Sequence, residues 1–422
     1  MMRSVYTLIV YLLTPVFSLR LLIKGRRNPA YRERWQERFG FFDGAPLANA
    51  IWIHAVSVGE ARATQLMVKT LRDIYPKMPI VISTTTPTGA EHVQSLYGDE
   101  VTHAYFPYDL PGSISRWLTH INPRLVILME TEIWPNLIGA CKKRGIDVVL
   151  ANARLSEKSA AGYARFSSFS RKVLSCIRLI AAQSPADAER FISLGYSQDK
   201  IHVTGSVKFD MRQTAVVQEQ SEAIRRLLGV GRPIWIASST REGEEEAVLA
   251  AHTRVLESKP DALLLLVPRH PERFDKVALL CEQQGFQVVR RSTSRPCLDQ
   301  HQIFLGDSMG ELAIFYQTAD LAFVGGSLVD KGGQNIMEPA SLGLPVVFGP
   351  SMFNFAAVSE MMLCEEAAVR IDNAQSLADQ VVDWLSDASE RARVGENGRR
   401  VVEENRGATG RLLTLIEPLL KT

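Results

Sequence analysis

Cysteine is scarce in these 422 residues, and the five present are Cys141, Cys176, Cys281, Cys297 and Cys364. They are odd in number and never spaced as CxxC, which argues against a disulfide framework or a zinc site and fits a reducing compartment. Net charge is nearly absent: 48 Lys and Arg face 46 Asp and Glu, a formal balance of +2. Bulk charge therefore does not by itself call for a nucleic-acid partner. Low-complexity tracts and repeats of 20 to 50 residues are missing too. What remains is a chain with 46% hydrophobic and 22% charged residues. It can build real cores, and its length suits two domains of roughly 180 to 200 residues.

Long hydrophobic runs are missing except at the amino terminus. Residues 4–19, SVYTLIVYLLTPVFSL, carry no charge, and Arg20 is followed by three more apolar residues. A spanning helix needs about 20 apolar residues, so the run reaches that length only if Arg20 snorkels. No small-residue cleavage site follows it, so it reads as an uncleaved anchor. Arg20, Lys24, Arg26, Arg27, Arg32, Arg34 and Arg38 crowd its flank against only Glu33 and Glu37. The positive-inside rule puts that flank and the body after it on the cytoplasmic side, and a basic belt suits anionic lipid. The composition leaves open whether the segment spans a bilayer, lies in its interface, or packs as an ordinary helix.

Beyond the anchor, short apolar runs rich in β-branched residues alternate with helical stretches. Residues 50–56, 79–84, 124–130, 147–152 and 179–184 read as strands; between the first two, Ala63, Met67, Leu71 and Ile74 recur at helical spacing over 60–75. The polar stretch 211–222 breaks the pattern and reads as a linker. Strand-like runs resume at 232–239, 262–270, 285–291, 321–327 and 344–350. This is the signature of an α/β chain built from two doubly wound parallel sheets, with ligands expected at the carboxyl ends of the strands in a cleft between the halves. The reading divides the chain into an anchor (1–24), a first Rossmann-like domain (25–210), a linker (211–222) and a second Rossmann-like domain (223–422).

Both halves place a carboxylate just after their first strand: IHAVSVGE at 53–60 and IASSTREGEE at 236–245. Glu60 lies in the first turn of a helix, where a glutamate commonly does no more than favour the dipole. Its strand aims it at the ligand edge, however, which makes it a candidate general base. Glu130 ends the strand RLVILME, and Lys208 follows the strand IHVTG at the same edge. The pair reads either as a bracing ion pair or as groups that stabilise a charged transition state. In the second half, PRHPERF (268–274), GDSMGELAIFY (306–316) and GGSLVDKGGQNIMEPA (325–340) follow one another. Helices expected to start near 309–311 and near Asn335 offer free N–H groups to a phosphate. Each motif alone could be a tight turn or a cap; three in order down one half of the chain point to a phosphate site. Arg241 is a further candidate charge contact. No DxD-like sequence or His/Cys ligand cluster stands out, so no metal and no cofactor is expected; His54, His270 and His301 are far apart.

The runs HAVSVGE, TTTPTG, METEIWPN, ANARLS, GSVKFD, STREGEE, VPRHPERF, GDSMGEL and GGQNIMEPA resemble those of the Kdo transferases of bacterial lipopolysaccharide synthesis. The resemblance runs from the anchor to the last helix; a serine in GSVKFD replaces the asparagine of some relatives. It implies a GT-B fold whose final helix, near 410–420, folds back on the first domain, and an inverting, metal-independent transfer of 3-deoxy-D-manno-octulosonic acid (Kdo) from CMP-Kdo to the lipid A precursor, lipid IVA. The transfer takes place at the cytoplasmic face of the inner membrane. It implies Glu60 as base and Glu130 and Lys208 as transition-state stabilisers, with Glu132 structural. It implies CMP binding by Pro268, Arg269, Met309, Gly310, Glu311, Asn335, Ile336, Met337 and Glu338. Competing readings are a GT-B protein that uses a uridine nucleotide, such as an epimerase, and a membrane-tethered scaffold.

Overall fold

The computed structural model describes residues 2–210 and 215–421. They form two compact units, one of residues 2–210 with 406–421, the other of 215–405. The first holds β1 (Ala50–His54), β2 (Ile80–Thr84), β3 (Thr102–Tyr105), β4 (Pro123–Met129), β5 (Asp147–Ala153), β6 (Leu179–Ala182) and β7 (Ile201–Val203). They pair in the order β3-β2-β1-β4-β5-β6-β7, with every pairing parallel. The second unit holds β8 (Ile234–Thr240), β9 (Leu263–Pro268), β10 (Val288–Arg290), β11 (Ile303–Leu305), β12 (Leu321–Val324), β13 (Val346–Phe348) and β14 (Ala368–Arg370). Their order is β10-β11-β9-β8-β12-β13-β14, again all parallel. These are the two doubly wound parallel sheets read from the strand pattern, the architecture of the GT-B type that the resemblance implies, with an apolar helix, Met2–Arg27, ahead of them.

Parallel strands are covered on both faces, so they read as continuous apolar runs rather than alternating ones. In β1 and β4, Trp52, Val126 and Leu128 feed one core, while Ile51, Ile53, Leu125 and Ile127 feed the opposite one. Three strands were not legible as runs. β3 and β14 are short edge strands carrying half-exposed polar residues such as Thr102, His103 and the exposed Arg370; β11 has three residues, too few for a period. The expected helix over 60–75 is broken in two, Val58–Ala63 and Gln65–Ile74. At the break the buried Thr64 turns its hydroxyl back onto the Ala61 carbonyl. Of the stretch 211–222 read as linker, 211–214 lie outside the described residues and 215–222 belong to the helix Ala215–Leu228.

The last helix, Ala408–Lys421, returns to the first unit. Leu412 and Ile416 are fully buried in the core that holds Ile51, Ile53, Leu125 and Ile127. Arg124 Nε donates to the Leu419 carbonyl at 3.1 Å, and Arg411 Nε to that of Thr204 at 2.9 Å. Asp210, buried just after the last strand, accepts from the amides of Gly407 (2.6 Å) and Thr409 (2.5 Å) and so caps this helix. Removing such a cap typically costs about 1–2 kcal/mol. Asp210→Ala is therefore expected to speed amide hydrogen exchange over 408–421 by roughly 5- to 30-fold. Unchanged exchange there would show that burial of Leu412 and Ile416 alone holds the helix.

Candidate functional site

In each sheet the strand order reverses once, between β1 and β4 and between β8 and β12, and ligands of such sheets bind beyond the carboxyl ends at that point. Glu60 and Glu130 flank the first reversal. Ser57 caps the helix Val58–Ala63, accepting from Glu60 N. The Glu60 carboxylate bends back over its own turn: Oε2 accepts from Val56 N at 2.9 Å and Oε1 from the Ser57 hydroxyl at 3.1 Å. Those bonds favour the ionised form, as in any capping glutamate. Burial opposes them, followed by the charge of Glu130 and, less strongly, that of Glu132. The opposing effects win, and the carboxyl is pushed up to about 7. A glutamate that only capped would move the other way.

Glu130 follows β4 with φ +56°, a left-handed conformation that carries a cost of order 1 kcal/mol in a residue with a side chain. Its amide donates to the Ala151 carbonyl at 2.9 Å, and its Oε1 lies 2.8 Å from Lys208 Nζ. Lys208 sits in the helical turn Val207–Asp210. That turn is held by Asn152, at the end of β5, whose Oδ1 accepts from Val207 N at 3.1 Å; Asn152 is itself left-handed, at φ +52°. Asn152 and Ser57 escaped the sequence reading, although they stand in the motifs ANARLS and HAVSVGE, one at the end of β5 and the other in the turn after β1. Glu132 accepts from Trp134 Nε1 at 2.9 Å and lies 3.7 Å from the fully buried His54, whose ring stacks on Phe106. The first unit thus brings Glu60, Glu130 and Lys208 to one sheet edge.

At the second reversal the echo of Glu60 is Glu244. Fully buried, it accepts four backbone amides: Arg241 (2.8 Å) and Gly326 (2.6 Å) on Oε2, Ser327 and Leu328 (both 2.9 Å) on Oε1. It ties the turn after β8 to the glycine loop after β12. Gly325 has no room for a side chain there, since a Cβ would fall 2.8 Å from Thr240 Cα. On this platform lie two half-buried arginines, Arg241 and Arg269. The Arg269 amide donates to the Thr240 carbonyl, and Arg241 Nη1 meets His270 Nε2. Burial, and then the neighbouring Arg241, lower the Arg269 guanidinium below the usual arginine range. Neither forms an ion pair with a carboxylate among the described residues, so the pair holds unneutralised positive charge.

The remaining candidates divide by which atoms they expose. Pro268 ends β9. The helix expected to begin near 309–311 is Leu312–Thr318, and the one expected near Asn335 is Met337–Ala340. Seven and four residues make weak dipoles, and the Met337 amide is already taken by Asn335 Oδ1 at 3.1 Å. Ile336 and Met337 have buried side chains, whereas Met309 is exposed and Gly310 turns at φ +85°. Glu338 is buried beside Asn335. Glu311 is gripped by Arg291, with Nη2 2.8 Å from Oε1, and Asp307 by Arg290 Nε at 2.7 Å and the Ser292 hydroxyl at 2.6 Å. Arg290 and Arg291 thus brace the GDSMGE loop, a role no local pattern announces. Among the described residues no cluster of three or more His, Cys, Asp or Glu is placed to hold a metal ion.

Comparison with known proteins gives a consistent picture. Residues 33–211 match the family described as 3-deoxy-D-manno-octulosonic-acid transferase (kdotransferase), and residues 232–401 match glycosyl transferases group 1. The 3-deoxy-D-manno-octulosonic acid transferase of Haemophilus influenzae is 42% identical over 100% of this chain and 99% of its own. That of Bordetella pertussis is 35% identical over 99% of both chains. A bifunctional glycosyltransferase/methyltransferase of Fusobacterium nucleatum is 32% identical over 78% of this chain and 52% of its own. Two solved structures share the fold. A Rickettsia africae glycosyltransferase has 15% identity and TM-score 0.58, covering 89% of this chain and 99% of its own. The Neisseria meningitidis UDP-GlcNAc 2-epimerase has 13% identity and TM-score 0.59, covering 84% and 99%. With both sheets, both family matches and end-to-end similarity in agreement, the chain belongs to the 3-deoxy-D-manno-octulosonic acid (Kdo) transferases and is a glycosyltransferase.

Proposed function

We propose that the enzyme moves Kdo from CMP-Kdo onto the lipid A precursor, lipid IVA, with inversion and without a metal, on the cytoplasmic face of an inner membrane to which the helix Met2–Arg27 anchors it. The observation that carries the proposal is the Glu60 carboxyl, poised at about 7 at the edge that also holds the Glu130–Lys208 pair. A general base works best when its pKa lies near the working pH, so this glutamate can take a proton that an ordinary one would not hold. In the reaction an acceptor hydroxyl loses its proton to Glu60 while its oxygen bonds to the anomeric carbon of Kdo. The bond from that carbon to the phosphate oxygen breaks, and CMP leaves with the electron pair. Positive charge develops on the sugar and negative charge on the phosphate. Glu130 and Lys208 supply one charge of each sign for that state.

The division of labour follows the same logic. Residues 25–210 present the acceptor side and residues 223–405 hold the donor. Arg269, with Arg241, meets the phosphate, and the amides of Met309, Gly310, Glu311, Asn335 and Ile336, with the Pro268 turn and the Met337 backbone that Asn335 holds, shape the nucleotide pocket. Glu338 accepts from the ribose hydroxyls. Mass spectrometry of the product made from CMP-Kdo and a synthetic lipid A precursor tests the whole reading. Transfer is expected to persist in chelator, and CMP but not UDP is expected to protect the protein thermally. No Kdo-bearing product, or protection by UDP instead, rejects it.

Glu60→Gln keeps shape and hydrogen bonding but removes the base, and turnover is expected to fall about 100-fold or more. In the unaltered enzyme turnover should rise with pH through about 7, as Glu60 loses its proton, and this limb should vanish in the variant. The same group links to stability with a definite sign. Its folded pKa lies above the ordinary 4.5, so its stabilising contribution is complete below 4.5 and is lost as pH rises through about 7. Glu60→Gln should therefore flatten the stability profile over that window. Near-normal turnover, or an unchanged pH limb, removes Glu60 from the base role.

Glu130→Ala and Lys208→Ala separate catalysis from bracing. Each should cut turnover severely while the folded protein still binds CMP. Loss of thermal stability with normal activity per folded molecule would make the pair a brace.

A further inference from the structure

The helix Met2–Arg27 is inside out. Its less exposed stripe, Arg3, Tyr6, Thr7, Val10, Thr14, Ser18, Leu21 and Gly25, repeats every three or four residues along the whole length and is mostly polar. The opposite face carries Leu8, Leu12, Val16, Leu19 and Ile23, each more than half exposed, Leu12 at 68%. A helix on the surface of a water-soluble body turns its apolar stripe inward; the reverse arrangement fits a helix whose outward medium is hydrocarbon.

The polar stripe is bonded to the first unit over much of its length. Arg3 Nε donates to Asn136 Oδ1 at 3.1 Å, and Thr7 Oγ1 lies 3.0 Å from the same oxygen. The Tyr6 hydroxyl donates to Asp109 Oδ2 at 2.9 Å, on a buried carboxylate that also accepts the amides of Asn136 (2.9 Å) and Leu137 (2.7 Å). Gly139 leaves room for the Arg3 guanidinium, which a Cβ there would strike. Farther along, Phe17 stacks on Tyr108, and Ser18 hydrogen-bonds the same tyrosine. At the far end Gly25 is buried against Arg32, and Lys24 lies over the Tyr31 ring. Twenty-six residues make a rod of about 39 Å, longer than the roughly 30 Å hydrocarbon core. A rod that crossed the bilayer would carry Arg3, Tyr6 and Thr7 to the face opposite Asn136 and Asp109.

We infer that this helix does not span the membrane: it lies in the plane of one leaflet, with the row Leu8, Leu12, Val16, Leu19 and Ile23 in the acyl region and the first unit beneath it. Arg20, Lys24, Arg26 and Arg32, all exposed, match the anionic headgroups of that leaflet. Asp109 stands on the loop after β3 and Asn136 in the first turn of the helix Pro135–Lys143 that follows β4, at the sheet edge that holds Glu60 and Glu130. The leaflet is thereby brought to the acceptor edge, and a lipid acceptor reaches it by lateral movement. The inference rests on the membrane reading proposed above, not on the identity of the base.

The full chain with Ser4→Cys, Cys176→Ser and native Cys364 is reconstituted into sealed vesicles of phosphatidylethanolamine and phosphatidylglycerol and treated with a membrane-impermeant maleimide. Both thiols are exposed residues, and an in-plane helix puts both on one side, so their protected fractions should be equal whatever the orientation of insertion. Where the protected fraction of Cys364 departs from one half, fractions that sum to one overturn the inference. A second variant, Thr7→Cys with Asn136→Cys, should form its disulfide in the same vesicles; absence of the bond with normal folding also overturns it. Leu12→Cys should not cross-link between copies under oxidant, because lipid rather than a second chain covers that row; efficient cross-linking rejects lipid as the occupant. Protein that does not float with the vesicles rejects the membrane reading itself. Equal protection without Kdo transfer leaves the placement standing and rejects the function.

Discussion

Buried carboxylates that accept backbone amides at the carboxyl ends of the strands are the interaction on which the arrangement depends. Parallel sheets covered on both faces leave their loops to satisfy many N–H groups away from water, and each one left unpaired costs of order 1–3 kcal/mol. Glu244 takes four such amides, Asp109 two and Asp210 two. Through them the glycine loop joins β8 to β12, the helix Pro135–Lys143 is seated on the loop after β3, and the last helix is returned to the first core. The acidic residues therefore serve the fold before any of them serves chemistry.

Glu60 is the member of this set in which the two uses meet. It accepts the Val56 amide as the others accept theirs, yet its burial and the charge of Glu130 hold it near neutrality. Glu244 has amides on both oxygens, whereas Glu60 shares one oxygen with a hydroxyl that can turn away. Strain concentrates in the same place. Glu130 and Asn152 are both left-handed, and Asn152 anchors the turn that carries Lys208. Such conformations persist where surrounding bonds over-determine them, as around a site that must hold charges at fixed positions.

The amino-terminal helix applies the same economy. Its polar side chains find partners on Asp109 and Asn136, while Leu8, Leu12 and Leu19 stay more than half exposed, where the proposed membrane would meet them. Asp109 joins the two roles, since one carboxylate caps the helix Pro135–Lys143 and receives Tyr6. The amino-terminal helix and the sheet edge of Glu60 and Glu130 are thus parts of one hydrogen-bonded unit.

Much of this was legible in the chain. Unbroken runs of β-branched residues between amphipathic stretches announced two parallel sheets, and the recurrence of a strand, a turn and a glutamate placed Glu60 and Glu244 at equivalent points. These features are local, and backbone periodicity records them. The short strands β3, β11 and β14 were not legible, because three or four residues at or near a sheet edge carry no period. Nor were Asn152, Arg290 and Arg291, whose partners are 55, 17 and 20 residues away. The anchor shows the division best. Its hydrophobicity was written in residues 4–19, but which way it faces depends on Asn136 and Asp109, more than 100 positions distant. Sequence by itself determined which segments are apolar, helical or extended, because those properties belong to neighbouring residues. Only the tertiary structure decided which carboxylates end as caps and which stays poised, because burial and the approach of other charges exist only once distant strands are paired.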